Sequence, residues 1–164
     1  MIVEIAQAAA LVAKDSLSAN PINRWEWVFP VVESIHICGF TLLVGAVAIL
    51  DLRLSDFVLT RQSMGQIARA LAPWIYLGIA MQFITGPYLF TSSPHDYLHN
   101  PSFRMKMMFL AAALIFHFTA VRGTAGKSQP LGLGWRRLVA LVSIALWVGV
   151  LFSGLSIGFF AVND

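Results

Sequence analysis

Two histidines carry most of the chemistry open to this chain of 164 residues. His36 and His117 each sit inside a long apolar stretch. An ionisable side chain at membrane depth is expensive to keep and marks a function by default. Neutral imidazole is a strong ligand for haem iron and for transition metals. Two histidines on separate helices of a bundle suit a b-type haem, one imidazole in each axial position. The plainer alternative is that each ring hydrogen-bonds a hydroxyl or a carbonyl on a neighbouring helix.

Depth bears on the pairing. Counted from Trp27, His36 lies nine residues into its stretch, about 14 Å at the helical rise. Counted from Phe103, His117 lies fourteen residues in, about 21 Å. Helix tilt or a one-turn offset would close that gap. From the opposite ends the match is worse: His36 is seventeen residues before Arg53, and His117 five before Arg122.

The neighbours suggest roles. Glu33 is one turn before His36 on the same face, as a partner for the ring or a proton carrier. Gly39, three residues on, would let a flat ring approach the backbone. Lys106 is eleven residues before His117, three turns away, and shares its face. With Arg104 it could reach haem carboxylates that point outward; both also read as cations snorkelling to the membrane surface. Gln82 is an amide in an apolar span and needs a partner, either a helix or a cofactor. Cys38 lies two residues from His36 and so on a different face; as the one cysteine it supplies no disulfide framework. Met81, Met105, Met107 and Met108 read first as apolar filler. His95 and His99 are four apart, a metal-binding spacing when helical. Pro94 and Pro101 bracket them, and the segment reads as a loop.

Several functions drop out. The chain has no GxSxG, HExxH, P-loop, CxxC or dinucleotide-binding signature, and no paired carboxylates inside its apolar stretches. It therefore reads as an electron carrier rather than a self-contained catalyst. The formal charge of +3 comes without a basic tract interleaved with aromatics, so no nucleic-acid partner is expected.

The elements that must position these residues are membrane helices. Residues are 58% hydrophobic and 12% charged, about half the charge of a soluble domain. Four stretches are long enough to cross about 30 Å of hydrocarbon, at about 28–50, 70–90, 103–122 and 138–161. The expected fold is all-α, an integral membrane four-helix bundle of antiparallel neighbours over residues 21–164. Residues 1–20 read as a short amphipathic helix in the interface rather than a cleaved signal peptide, since Glu4 comes early and no basic segment precedes it. Gly86-Pro87 predicts a kink or an early end to the second span. Gly78, Gln82 and Gly86 line one face of that span; Gly149, Ser153, Gly154 and Gly158 line one face of the fourth. Such strips pack helices, within the bundle or in a homodimer.

Lys and Arg set the orientation. Arg53, Arg61, Arg69, Arg122, Lys127, Arg136 and Arg137 fall on one side; Lys14, Arg24, Arg104 and Lys106 fall on the other. The richer side belongs inside. Both termini and the His95/His99 segment then face outward, into the periplasm of a Gram-negative source.

Glu-Ser-x-His at 33–36, Asp-Leu-Arg-Leu at 51–54 and Asn-Pro-x-Phe-Arg-x-Lys at 100–106 followed by His117 carry a resemblance. From Trp27 onward the chain resembles an uncharacterised family of small bacterial inner-membrane proteins. Its layout is similar to small four-helix b-type cytochromes and to copper-resistance D-type membrane domains. The resemblance implies an inner-membrane location and matches Glu33, His36, Asp51, Arg53, Arg104, Lys106 and His117. The expected function is a cytochrome b-like carrier with one haem b between His36 and His117, exchanging electrons with a quinone or a periplasmic partner. The alternatives are an accessory membrane subunit without cofactor, and a copper or small-solute handling protein using His36, Met81 and the His95/His99 segment.

Overall fold

A computed structural model of the chain describes residues 26–125 and 132–161, with side chains to residue 158. The expected interfacial helix at 1–20 lies outside the described residues. Within them the chain is all-helical. Its elements are α1 (Val28–Leu54), α2 (Met64–Ser92), α3 (Pro94–His99), α4 (Pro101–Phe116), a π-helical turn (His117–Val121), α5 (Arg122–Ala125) and α6 (Leu133–Ala161).

Four helical stretches are long and apolar enough to cross a membrane: Val28–Leu54, Met64–Ser92, Pro101–Ala125 and Leu133–Gly158. The shortest has 25 residues, about 38 Å of helix. Large apolar side chains cover the outer surface, among them Phe83, Ile84, Met108, Ile115 and Leu155. In water such a surface would be unfavourable over its whole area; in lipid it is the matched solvent.

Helix ends fall outside the apolar stretches because polar caps set them. Ser63 starts α2 with a capping box: its hydroxyl accepts from Gln66 N at 3.3 Å, and its own N–H donates to Gln66 Oε1 at 3.1 Å. Asn100 accepts from the N–H groups of Ser102 and Phe103, and Pro101 fills the first helical position. The Asn100 amide also donates to Ile157 O at 3.1 Å, tying the start of α4 to the far end of α6. Two sequence expectations are corrected. Gly86-Pro87 does not end the second span; α2 runs on to Ser92, since one missing N–H leaves the bonds on either side intact. The segment around His95 and His99 is not a loop but the short helix α3.

Packing divides the helices into two pairs. α1 lies along α2, and α4 lies along α6; a seam between α1 and α6 joins the pairs, while α2 and α4 hardly touch. Leu43, Val47, Leu50 and Leu54 form the buried stripe of α1 at helical spacing, packed with Ile75, Ala113, Val139, Trp147 and Val150. Glycine makes the closest approaches. A Cβ on Gly78 would lie 2.7 Å from Leu43 Cβ and 2.9 Å from Gly39 O. Gly39 in turn faces Met81, whose Cβ would be 2.6 Å away. Gly149 seats the ring of Phe109. These small residues therefore serve the internal bundle. Gly158 has open space around it.

At the cation-rich end, Asp56 knots two helices. Its carboxylate bonds Arg53 at the end of α1 and Arg136 at the start of α6, the latter at 2.7 Å. Arg53 also donates through Nε and Nη2 to Gln62 O, at 3.2 and 2.8 Å. The hydrogen bond from Arg136 leads, with that from Arg53 adding to it, in holding the Asp56 carboxyl below the usual carboxylate range.

Candidate functional site

The two sequence-selected histidines occupy different centres. His36 is half-buried between α1 and α2. Its Nδ1 is 2.7 Å from Thr85 Oγ1. The Thr85 hydroxyl has one proton and donates it to Met81 O at 2.6 Å. It can therefore only accept from His36, so Nδ1 carries the ring proton and Nε2 carries the lone pair. Gln82 Nε2 donates to the backbone carbonyl of His36 at 2.6 Å, and this is the partner the buried amide required. Gly86 leaves room beside the ring: a Cβ there would lie 3.6 Å from His36 Cε1. Lys106 lies within electrostatic reach of His36, and its methylenes and ammonium run along Gly154 of α6.

His117 opens the π-helical turn and is 2% exposed. The wider turn inserts one residue into the helix and re-aims the side chains beyond it, a feature frequent at functional sites. Its Nδ1 is enclosed and has no hydrogen-bond partner among the described residues. The ring lines a cavity of about 820 Å³ at the cation-rich end, between α1, α2 and the π-helical turn. Leu50, Ala72, Ile75 and Phe118 give this cavity apolar walls; Arg53, Arg69, Arg122 and Arg136 give it charge. Arg122 donates to Tyr76 Oη at 2.6 Å and lies over the rings of Tyr76 and Phe118.

The separation of the centres follows from one helix. Leu50 lines the cavity with His117, and it lies fourteen residues after His36 on α1, about 21 Å along the axis. Among the described residues the two rings share no hydrogen-bond partner and no ring contact.

The other selected residues are dispersed. Glu33 is exposed and acts on Tyr97 of α3 rather than on His36. Burial chiefly, with Glu33 and Asp96 adding to it, pushes the Tyr97 phenol up. Gly39 does not admit a flat ring, because Met81 fills the space it leaves. Lys106 lies along Gly154 of α6 and acts electrostatically on His36; Arg104 is exposed. Cys38 is exposed and belongs to neither centre. His95 and His99 share a face of α3 with ring centroids 4.3 Å apart, and both side chains point to the surface. Among the described residues, no three His, Cys, Asp or Glu side chains cluster to hold a metal ion.

Sequence reasoning missed Thr85 and Tyr76, and named Asp51 through the family resemblance but not as a buried polar group on the α1–α6 seam. Asp51 is 0% exposed, and neither carboxyl oxygen has a hydrogen-bond partner among the described residues. Ser143 of α6 faces it, and the hydroxyl of Ser143 and Nε1 of Trp147 are likewise unpartnered. Thr85 carried no sequence signal, since a threonine inside a helix ordinarily bonds its own backbone. Asp51 did carry one: it is a carboxylate at helical spacing from Val47 and Leu54 on the apolar stripe.

A family model described as a family of unknown function, DUF6644, matches residues 27–160. No curated protein and no solved structure matches the chain.

Proposed function

The chain belongs to the DUF6644 family, whose function is unknown, and from the site itself we propose that it is a membrane protein that binds an amphipathic anion in the cavity beside His117. The observation that carries this reading is the lining: apolar side chains on the walls and four guanidinium groups around them. Guanidinium is the side chain best matched to carboxylate and phosphate oxygens. Asp56 pairs with Arg53 and Arg136, so among the described residues Arg69 and Arg122 are the lining cations without a carboxylate partner. A ligand with an apolar body and a phosphate or carboxylate head satisfies both kinds of surface. On the charge rule, this end faces the cytoplasm of a bacterial inner membrane and both termini face the periplasm.

A second reading rests on the place of His117, a buried histidine among the lining residues of the cationic cavity. Haem b is itself an amphipathic dianion, and a buried imidazole in the wall of a cationic cavity fits it. His117 would be the one protein ligand, with Arg69 and Arg122 near the propionates. When bound, haem supplies one-electron chemistry; the residues supply orientation and countercharge.

The test is what co-purifies. Native mass spectrometry of detergent-purified protein should show a bound phosphate- or carboxylate-bearing amphiphile. That mass should be lost in the Arg69→Gln, Arg122→Gln double variant. Free phosphate should not stabilise the protein against heat, whereas phosphatidylglycerol should. A visible spectrum with haem bands that vanish in His117→Ala decides for the second reading. A protein that purifies bare and gains no stability from any anionic amphiphile ends both.

A further inference from the structure

The half of the bundle around His36 holds an arrangement independent of the cavity. Thr85 fixes the ring with its proton on Nδ1. Nε2 has no hydrogen-bond partner among the described residues, and it is not among the enclosed unpartnered atoms, so it keeps accessible surface. Gln82 holds the His36 backbone, Gly86 clears the ring face, and Lys106 brings a positive charge from α4. A metal cation is disfavoured here: one imidazole is a thin ligand set, and the ammonium repels it. A neutral acceptor beside a cation favours a different guest. It suits a hydroxyl acidic enough to donate strongly, whose oxygen gains charge as it does so.

We infer that His36 and Lys106 form a binding site for a lipophilic ligand bearing an acidic hydroxyl, either a hydroquinone or a carboxylic acid, entering sideways from the bilayer. The ligand O–H donates to His36 Nε2, and its oxygen faces the Lys106 ammonium. Thr85 is a positioning residue: it keeps the lone pair on the outward nitrogen. The apolar body of the ligand lies against the exposed apolar surface of the bundle, where Ile37 and Phe83 are among the uncovered side chains.

The experiment uses the whole chain in lipid nanodiscs. Nitrogen-15 spectra of histidine-labelled protein should show His36 as the Nδ1–H tautomer, assigned by its loss in His36→Phe. A decyl-substituted hydroquinone and oleic acid are titrated beside the dimethyl ether of the first and the methyl ester of the second. One acidic ligand should bind, move the Nε2 resonance, and lose about tenfold in affinity when its hydroxyl is capped or His36 is changed to Phe. Lys106→Met should weaken oleic acid more than the hydroquinone if the carboxylic acid is the guest. Thr85→Ser should bind as the parent does and Thr85→Val more weakly. Equal binding of capped and uncapped ligands, an Nε2–H tautomer in the free protein, or haem bands abolished by His36→Phe would each overturn the inference.

Discussion

Thr85 stands between His36 and Met81, accepting from the imidazole Nδ1 at 2.7 Å while donating to the Met81 carbonyl at 2.6 Å. One hydroxyl thereby fixes both the rotamer and the tautomer of a histidine on the next helix. Removing it leaves a half-buried N–H without a partner, a penalty of about 1–3 kcal/mol. Thr85→Val should lower thermal stability in detergent by that amount, and Thr85→Ser should restore most of it. A valine variant as stable as the parent would mean that the bond contributes nothing to holding α1 against α2.

Close helix approach makes a second prediction. A Cβ on Gly78 would meet Leu43 Cβ at 2.7 Å and a backbone oxygen at 2.9 Å. Neither is the free end of a flexible chain, so the helices must separate. Gly78→Ala should destabilise by about 1–3 kcal/mol. Gly158→Ala, with open space around it, should change stability by less than about 0.5 kcal/mol. Thermal denaturation of the two variants side by side checks the contrast.

Much of this architecture was legible, and the reasons are specific. The number and place of the spans follow from charge-free stretches such as 138–161, because hydrocarbon admits little else. The need of Gln82 for a partner followed from the same cost of an unpaired amide. The partnership of His36 was not legible: helix rotation and stagger decide it, and these depend on where Gly39 and Gly78 let α1 and α2 close up. The depth of His117 was hidden as well. Counting from the outer ends placed the two histidines within about 7 Å, yet α4 begins against Ile157 and His117 lines a cavity that reaches Leu50, fourteen residues past His36. The π-helical turn at His117 has no signature in HFTAV.

The knot at Asp56 makes stability depend on pH. Arg136 and then Arg53 hold the folded-state pKa below its unfolded value. The sign is therefore that of a depressed carboxylate: the contribution is complete above the unfolded pKa, near 4, and fades as pH falls through the folded one. The parent should lose stability between about pH 4 and pH 2 more steeply than Asp56→Asn. Added salt should weaken this difference, since the group is partly open to solvent. Parallel melting curves across that range are the measurement.

Asp51 calls for the opposite expectation from a paired buried charge. Among the described residues no cation pairs with its carboxyl and no hydrogen bond satisfies it. Asp51→Asn keeps the shape and adds a donor toward Ser143, so its stability should equal or exceed that of the parent. A loss above about 2 kcal/mol in a chemical denaturation series would show that the carboxyl has a partner in the membrane, such as an enclosed water or ion.

The two histidines should act independently. His36 is bonded to Thr85, and His117 lines the arginine cavity, which reaches Leu50, about 21 Å along α1 from His36. Distant residues with no shared partner show additive effects within about 0.5 kcal/mol. His36→Ala, His117→Ala and the double variant therefore form a cycle with no coupling, in melting temperature and in ligand binding alike. A shared haem would give the reverse, since losing either ligand would release the group and the second substitution would then do little. A coupling energy above about 1 kcal/mol would mean that one bound molecule bridges both centres, and the separation of roles argued from Leu50 would fail with it.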